Sequence, residues 1–204
     1  MEQYFVYFCG VISQSDTDKR DKILQAALKL FAEFGFHGTP TSKIAQAAGV
    51  ANGTLFHYFS TKEELITSLY IHLKTQLSQF SAADVVLEQG AGVKEKSRWA
   101  YLNALHWALQ NPDGFRFIQQ FTNSPFLLLI APEEVKKQTA PSLGLITEGI
   151  TAGFIKPLPP EFIHTLVSSH IYGMNEFFLQ AKLLPAQQEK LMQESFDMLW
   201  KMLT

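Results

Sequence analysis

Cysteine is almost missing from this chain of 204 residues: Cys9 stands alone. A single thiol makes no internal disulfide, which fits a reducing cytosol, and a cytoplasmic location is the expectation. No apolar run reaches the roughly 20 residues a membrane-crossing helix needs, so no membrane partner is expected. The one apolar stretch near the start, residues 4–12 (YFVYFCGVI), lacks the basic flank of a secretion signal. Charge of either sign is scarce, at 18% of residues with a net charge of −2. That balance excludes a molecule basic over its whole surface. There is no glycine-rich phosphate loop, no GxSxG elbow and no Cys/His metal spacing. His164 and His170 lie within about two helical turns of each other but lack a third ligand in sequence. No enzymatic activity, metal or cofactor is therefore expected. Strand alternation, internal repeats and low-complexity tracts are also wanting.

What is present is apolar mass with helical spacing. Hydrophobic residues make up 47% of the chain, with 17 phenylalanines, enough for a substantial core. The organising stretch is residues 39–62, TPTSKIAQAAGVANGTLFHYFSTK. Thr39 reads as a helix N-cap with Pro40 at the first helical position, where its missing N–H costs nothing. Gly49 sits where a left-handed residue ends a helix, and Val50 plugs the turn. A second short helix follows with Leu55 inward. Small Ala45, then Gly49, then Leu55 is a spacing that fits a generic αα-corner as well as a helix-turn-helix, the unit that offers its second helix to the DNA major groove. Before it, Ile23, Ala27, Leu30, Phe31 and Phe34 fall at i, i+4, i+7, i+8 and i+11, one apolar stripe over residues 18–34. Its acidic start, Asp16 and Asp18, suits the helix dipole. Ser60 and Glu63 read as a capping box opening a long helix through Ile66, Leu69, Leu73, Leu77 and Phe80. Residues 15–62 hold six Lys or Arg against four acids, while residues 63–204 hold eleven against fourteen. The candidate DNA head is thus the positive end.

The pattern Ile44-Ala45, Ala48-Gly49-Val50-Ala51, Gly53 to Phe59 and Lys62 to Leu65, with the helix before it, resembles the N-terminal domain of the TetR family of transcriptional repressors. The resemblance covers about residues 18 to 66 and joins three helices in one register. It implies an all-α protein: residues 1–17 as an N-terminal extension, 18–64 as the helix-turn-helix domain, and 65–204 as a helical ligand-binding and dimerisation domain. It implies double-stranded DNA contacts at Thr39, Ser42, Ala51, Asn52, Gly53, Thr54, His57, Tyr58 and Lys62. Thr54, His57 and Tyr58 stand where the family meets DNA, and Gly53 lets backbone approach phosphate. The chain departs from the family at three places. Ala51 replaces a common Ser, which leaves Asn52 to cap or read bases. Phe56 replaces a common Tyr, and Ser42 a longer, often basic side chain.

Beyond residue 66 the chain reads as helical almost throughout. Residues 81–92 read as a loop with a short helical piece. Helices are expected over 94–110 and 113–123. An apolar link follows Pro125, then a helix over 133–153 interrupted by Pro141, and finally helices over 161–183 and 185–203. The resemblance implies a homodimer through the last two, with Phe162, Leu166, Phe177, Phe196 and Leu199 in a four-helix interface. Two heads would then meet a palindromic operator with half-sites about one turn, roughly 34–36 Å, apart. It also implies a small-molecule effector in the body. Trp99, His106, Phe121, Tyr172 and Asn175 are the candidate contacts, and the aromatic content favours an apolar or aromatic ligand. The expected function is a ligand-responsive repressor, released from DNA by its effector. The alternative is a helical small-molecule- or partner-binding protein with weakened DNA readout, motivated by Ser42, Ala51 and Phe56.

Overall fold

The computed structural model describes residues 14–82 and 91–204. The apolar segment at 4–12 and most of the loop expected over 81–92 lie outside the described residues. Among the described residues the chain is helical, with no strand. Nine α-helices run in order: α1 Gln14–Gly38, α2 Thr41–Ala47, α3 Asn52–Tyr58, α4 Lys62–Ser81, α5 Val93–Gln110, α6 Pro112–Thr122, α7 Pro132–Thr151, α8 Pro160–Gln180 and α9 Pro185–Leu203. A 3-10 turn, Pro125–Leu129, takes the place of the apolar link. The described chain divides into two compact units, one ending at Leu69 and the other running Tyr70–Thr204, so the division falls inside α4.

In the first unit α1 packs on α2 and α2 on α3. Ile23, Ala27 and Phe31 of α1, Ile44 and Ala45 of α2, and Leu55 of α3 are buried. Phe34, the last member of the expected α1 stripe, is instead 50% exposed. The reason is Gly35, whose φ of 71° breaks the helical path one residue later and turns the chain away. Phe36 takes the inward place and meets Phe31 edge-on at 5.6 Å. Thr39 is not the cap of α2: that position belongs to Pro40 and carries no side-chain cap. Thr39 is 1% exposed, and its hydroxyl donates back to the carbonyls of Leu30 and Gly35 at 3.1 and 2.9 Å. It thereby satisfies orphan carbonyls at the end of the preceding helix.

The cap of α4 is likewise shifted by one residue. Glu64 N–H donates to the Thr61 hydroxyl at 3.0 Å, and Ser60 N–H donates to the Glu64 carboxylate at 2.8 Å. Thr61 is therefore the cap, and the Glu64 carboxylate reaches back past it to the N–H of Ser60, in place of the expected box of Ser60 with Glu63. Phe80, expected on the inner face of α4, is 42% exposed in the helix's last turn.

The second unit is built around α5, which packs against α6, α7, α8 and α9. Its core joins Tyr101 and Leu105 of α5, Ile146 of α7, Ile163 and Phe178 of α8, and Met192, Phe196, Leu199 and Leu203 of α9. Pro141 does not interrupt α7, which continues to Thr151. Pro141 and Lys137, the residue whose carbonyl loses its partner, are both exposed, so water can serve that carbonyl. Gly149 is where α7 needs the smallest side chain, since a Cβ there would sit 2.5 Å from Ile155 Cδ1. The segment after α7 closes on the end of α9: Lys156 N–H donates to Leu203 O at 2.9 Å and its ammonium to Met202 O at 2.7 Å. A cation on the last carbonyls of a helix is favoured by its dipole.

Candidate nucleic-acid interface and effector-binding interior

The turn between α2 and α3 is fixed by two backbone bonds. Gly49 N–H donates to Gln46 O at 3.1 Å and Val50 N–H to Ala45 O at 3.0 Å. This is the paired 5→2 and 6→1 closure of a Schellman motif, and Gly49 adopts the φ of 67° it requires. Leu55 and Phe59 are then driven inward, at 0% and 1% exposure. Asn52, Gly53, Phe56 and His57 are left exposed, with Thr54 and Tyr58 half-buried. The His57 and Tyr58 rings meet edge-on at 5.5 Å.

The cap of α3 is Ala51, without a side-chain bond, so Asn52 is not the cap and its amide stays on the surface. Ser42 and Ala51 are exposed on the same unit, and Lys62 is half-buried in the first turn of α4. Thr39 stands apart from this row because its only proton is spent inside. Two further cations brace the unit on aromatic faces: Arg20 over Phe59 at 5.4 Å and Lys43 over Phe34 at 5.8 Å.

In the second unit the expected ligand residues separate into groups. Phe121 is buried and stacks on Tyr70 with centroids 4.1 Å apart. Tyr172 lies 5.1 Å from Phe115. The Thr122 hydroxyl is a hydrogen-bond partner for both phenols and tempers their shifts, but burial still raises the pKa of Tyr70 and of Tyr172. Phe121 and Tyr172 therefore do belong to one interior, shared by α4, α6 and α8. Asn175, one turn after Tyr172, is 3% exposed, and its Oδ1 has no partner among the described residues. Trp99 has a buried indole N–H, also without a partner among the described residues.

His106 does not join this group. Its Nε2 pairs with Glu189 of α9 at 3.0 Å on a half-exposed flank. Sequence reasoning missed Tyr70, Lys74 and Thr122, and weighed His164 only as a metal ligand. Burial lowers the pKa of Lys74, while burial and then the Lys74 charge lower that of His164. The available signal was a lysine among apolar residues on the buried side of α4.

The interface residues expected on α8 and α9 divide too. Phe162 and Phe177 are 52% and 48% exposed, whereas Phe196 and Leu199 are buried within the chain's own core at 2% and 4%. Leu166 is partly buried against that same core. The outward apolar positions of α9 are Met198 and Met202. A polar chain crosses the core beneath: Tyr101 Oη lies 2.9 Å from both His170 Nδ1 and Ser195 Oγ, and Ser195 donates to Met192 O at 2.7 Å. With the serine proton committed, Tyr101 donates to Ser195 and accepts from His170. Burial raises the Tyr101 pKa to about 12, eased by Ser195, and lowers that of His170. Among the described residues no group of acids, histidines or cysteines is placed to hold a metal ion, and no helix is long and apolar enough to cross a membrane.

A braced helix-turn-helix unit followed by a helical body defines a DNA-binding regulator. A family model for bacterial regulatory proteins of the tetR family matches residues 23–69. The chain is 34% identical over 140 residues to the fatty acid metabolism regulator protein of Bacillus subtilis, covering 66% of this chain and 70% of that one. It is 30% identical over 166 residues to the transcriptional regulator RutR of Escherichia coli K12, covering 80% and 76%. A TetR family transcription regulator from Marinobacter aquaeolei VT8 superposes with a TM-score of 0.82 at 26% identity, over 94% of this chain and 98% of that one. The chain belongs to the TetR family of transcriptional regulators. It is a DNA-binding regulator and not an enzyme.

Proposed function

We propose that this chain is a dimeric repressor that binds a palindromic operator and leaves it when a small apolar or aromatic effector enters the helical body. The observation that carries the reading is the outward row of α3. Asn52, Gly53 and His57 are exposed on a helix whose turn is locked by Gly49 and whose inner face is anchored by Leu55. Asn52 and His57 serve as base readers, Thr54 and Tyr58 as phosphate or base contacts, and Lys62 as a phosphate clamp. Ser42 and Ala51 flank the row at the duplex surface. Thr39 acts as a positioning residue.

Dimerisation uses the exposed side of α8 and α9, with Phe162 and Phe177 joined by Leu166, Met198 and Met202. Phe196 and Leu199 support that surface from within. The aromatic interior of the second unit, together with the likeness to a regulator named for fatty acid metabolism, supports an apolar effector. Release follows when the effector binds the DNA-free conformation more tightly than the DNA-bound one. The continuous α4, shared by both units, is the element through which we expect the two sites to be coupled.

The test is fluorescence anisotropy on duplexes from the region upstream of the chain's own gene. Asn52→Ala and His57→Ala should each relax preference at particular base pairs, by about 1–3 kcal/mol per lost contact. Wild-type protein that binds every duplex equally, or none at low salt, would overturn the reading.

A further inference from the structure

We propose that the effector carries an acidic group, a carboxylate on an apolar or aromatic frame, and that Lys74 is the cation that receives it. The inference deepens the effector reading above and rests on it. On α4, Tyr70, Lys74 and Leu77 are spaced i, i+4 and i+7 and so share one stripe. Tyr70 stacks on Phe121, which turns that stripe toward α6. On α8, His164, Ser168, Tyr172 and Asn175 are spaced i, i+4, i+8 and i+11, again one stripe. Tyr172 packs on Phe115, and Thr122 serves the phenols of both stripes, so the two meet at α6. His164 feels the charge of Lys74, which places the ammonium in the same interior.

Among the described residues Lys74 has neither a hydrogen-bond nor an ion-pair partner. Lys22, Lys96 and Arg98 elsewhere all meet carboxylates. The unpartnered Oδ1 of Asn175 marks the same side of α8 as one whose polar atoms are not all satisfied by the chain. A half-buried cation that shares its stripe with the Tyr70 phenol and lies beside the His164 imidazole, over aromatic walls, is suited to one negative charge on an apolar molecule. A phosphate monoester, with close to two charges, would call for more than one cation. Burial and then the Lys74 charge disfavour protonation of His164, and a neutral imidazole still offers one N–H.

The experiment is titration calorimetry on the full chain with two matched pairs of probes, 2-naphthoate against 2-naphthalenemethanol and decanoate against decanol. At least one acid should bind roughly tenfold or more tightly than its alcohol, the worth of one charge-assisted hydrogen bond. Lys74→Met should bring that acid down to the level of its alcohol and leave the alcohol unchanged, while Lys74→Arg keeps the preference. Free Lys74→Met should melt at or above the wild type, since it loses a buried cation that has no partner among the described residues, and this doubles as the folding control. Equal affinity for acid and alcohol in the wild type overturns the acidic group, a preference that survives Lys74→Met overturns Lys74 as its receiver, and either result leaves the effector reading standing. Binding of none of the probes overturns both.

Discussion

At the scale of single residues, Thr39 and Lys62 separate folding from binding. Thr39 donates into the end of α1, so Thr39→Ala should cost about 1 kcal/mol of stability in urea denaturation. It should leave the salt dependence of DNA binding unchanged. Lys62→Ala should do the reverse: little loss of stability, weaker binding to all duplexes alike, and a salt slope flatter by about 1. A second residue-scale prediction concerns His170 and His164, whose folded pKa values are held below 6.5 chiefly by burial. The unfolded chain then binds more protons just below that pH, so stability falls as pH drops through 6.5 toward the folded values and is whole above it. Melting temperature followed from pH 7.5 to 5 should show this decline. His170→Gln should lessen it, and an unchanged profile would remove His170 from the account.

At the scale of elements, the turn between α2 and α3 gives the sharpest prediction. Gly49→Ala must place a Cβ in the left-handed region, at a cost of about 1–2 kcal/mol. Gly49→Asn should recover part of that loss, both read from denaturation midpoints. Here the sequence was most legible. Gly49, Leu55 and the bounds of α9 follow from turn chemistry and from a 3.6-residue period, which depend on near neighbours. Cap positions slip by one residue because Ser60 and Thr61 are both good caps, and only which hydroxyl receives the N–H of the first turn, here Thr61 from Glu64, decides between them. Phe34 and Phe80 read as inward because a stripe does not announce where its helix turns away. Pro141 did not break α7 because the carbonyl it orphans faces water, a fact of burial rather than of local sequence. Lys74 was hidden for a related reason: periodicity scores apolar residues, and a lysine in the stripe reads as an interruption.

At the scale of the whole molecule, a pattern of apolar residues tells which face of a helix is buried but not by which chain. Phe196 and Leu199 fill the core of their own subunit, while Phe177 stays exposed on α8. The account therefore expects different outcomes from two substitutions of similar chemistry. Phe196→Ala should destabilise the subunit by about 3–5 kcal/mol. Phe177→Glu should leave the subunit folded by circular dichroism and shift it to a monomer in sedimentation velocity, with operator binding lost alongside. The claim on which the rest depends is that two chains present two α3 helices to one duplex. Sedimentation velocity of the protein with a labelled duplex from upstream of its own gene, at low ionic strength, tests it most directly. The account predicts a complex of two chains, or a multiple of two, per duplex that a scrambled duplex of equal length does not form. A complex of one chain per duplex, or equal co-sedimentation with both duplexes, would contradict it.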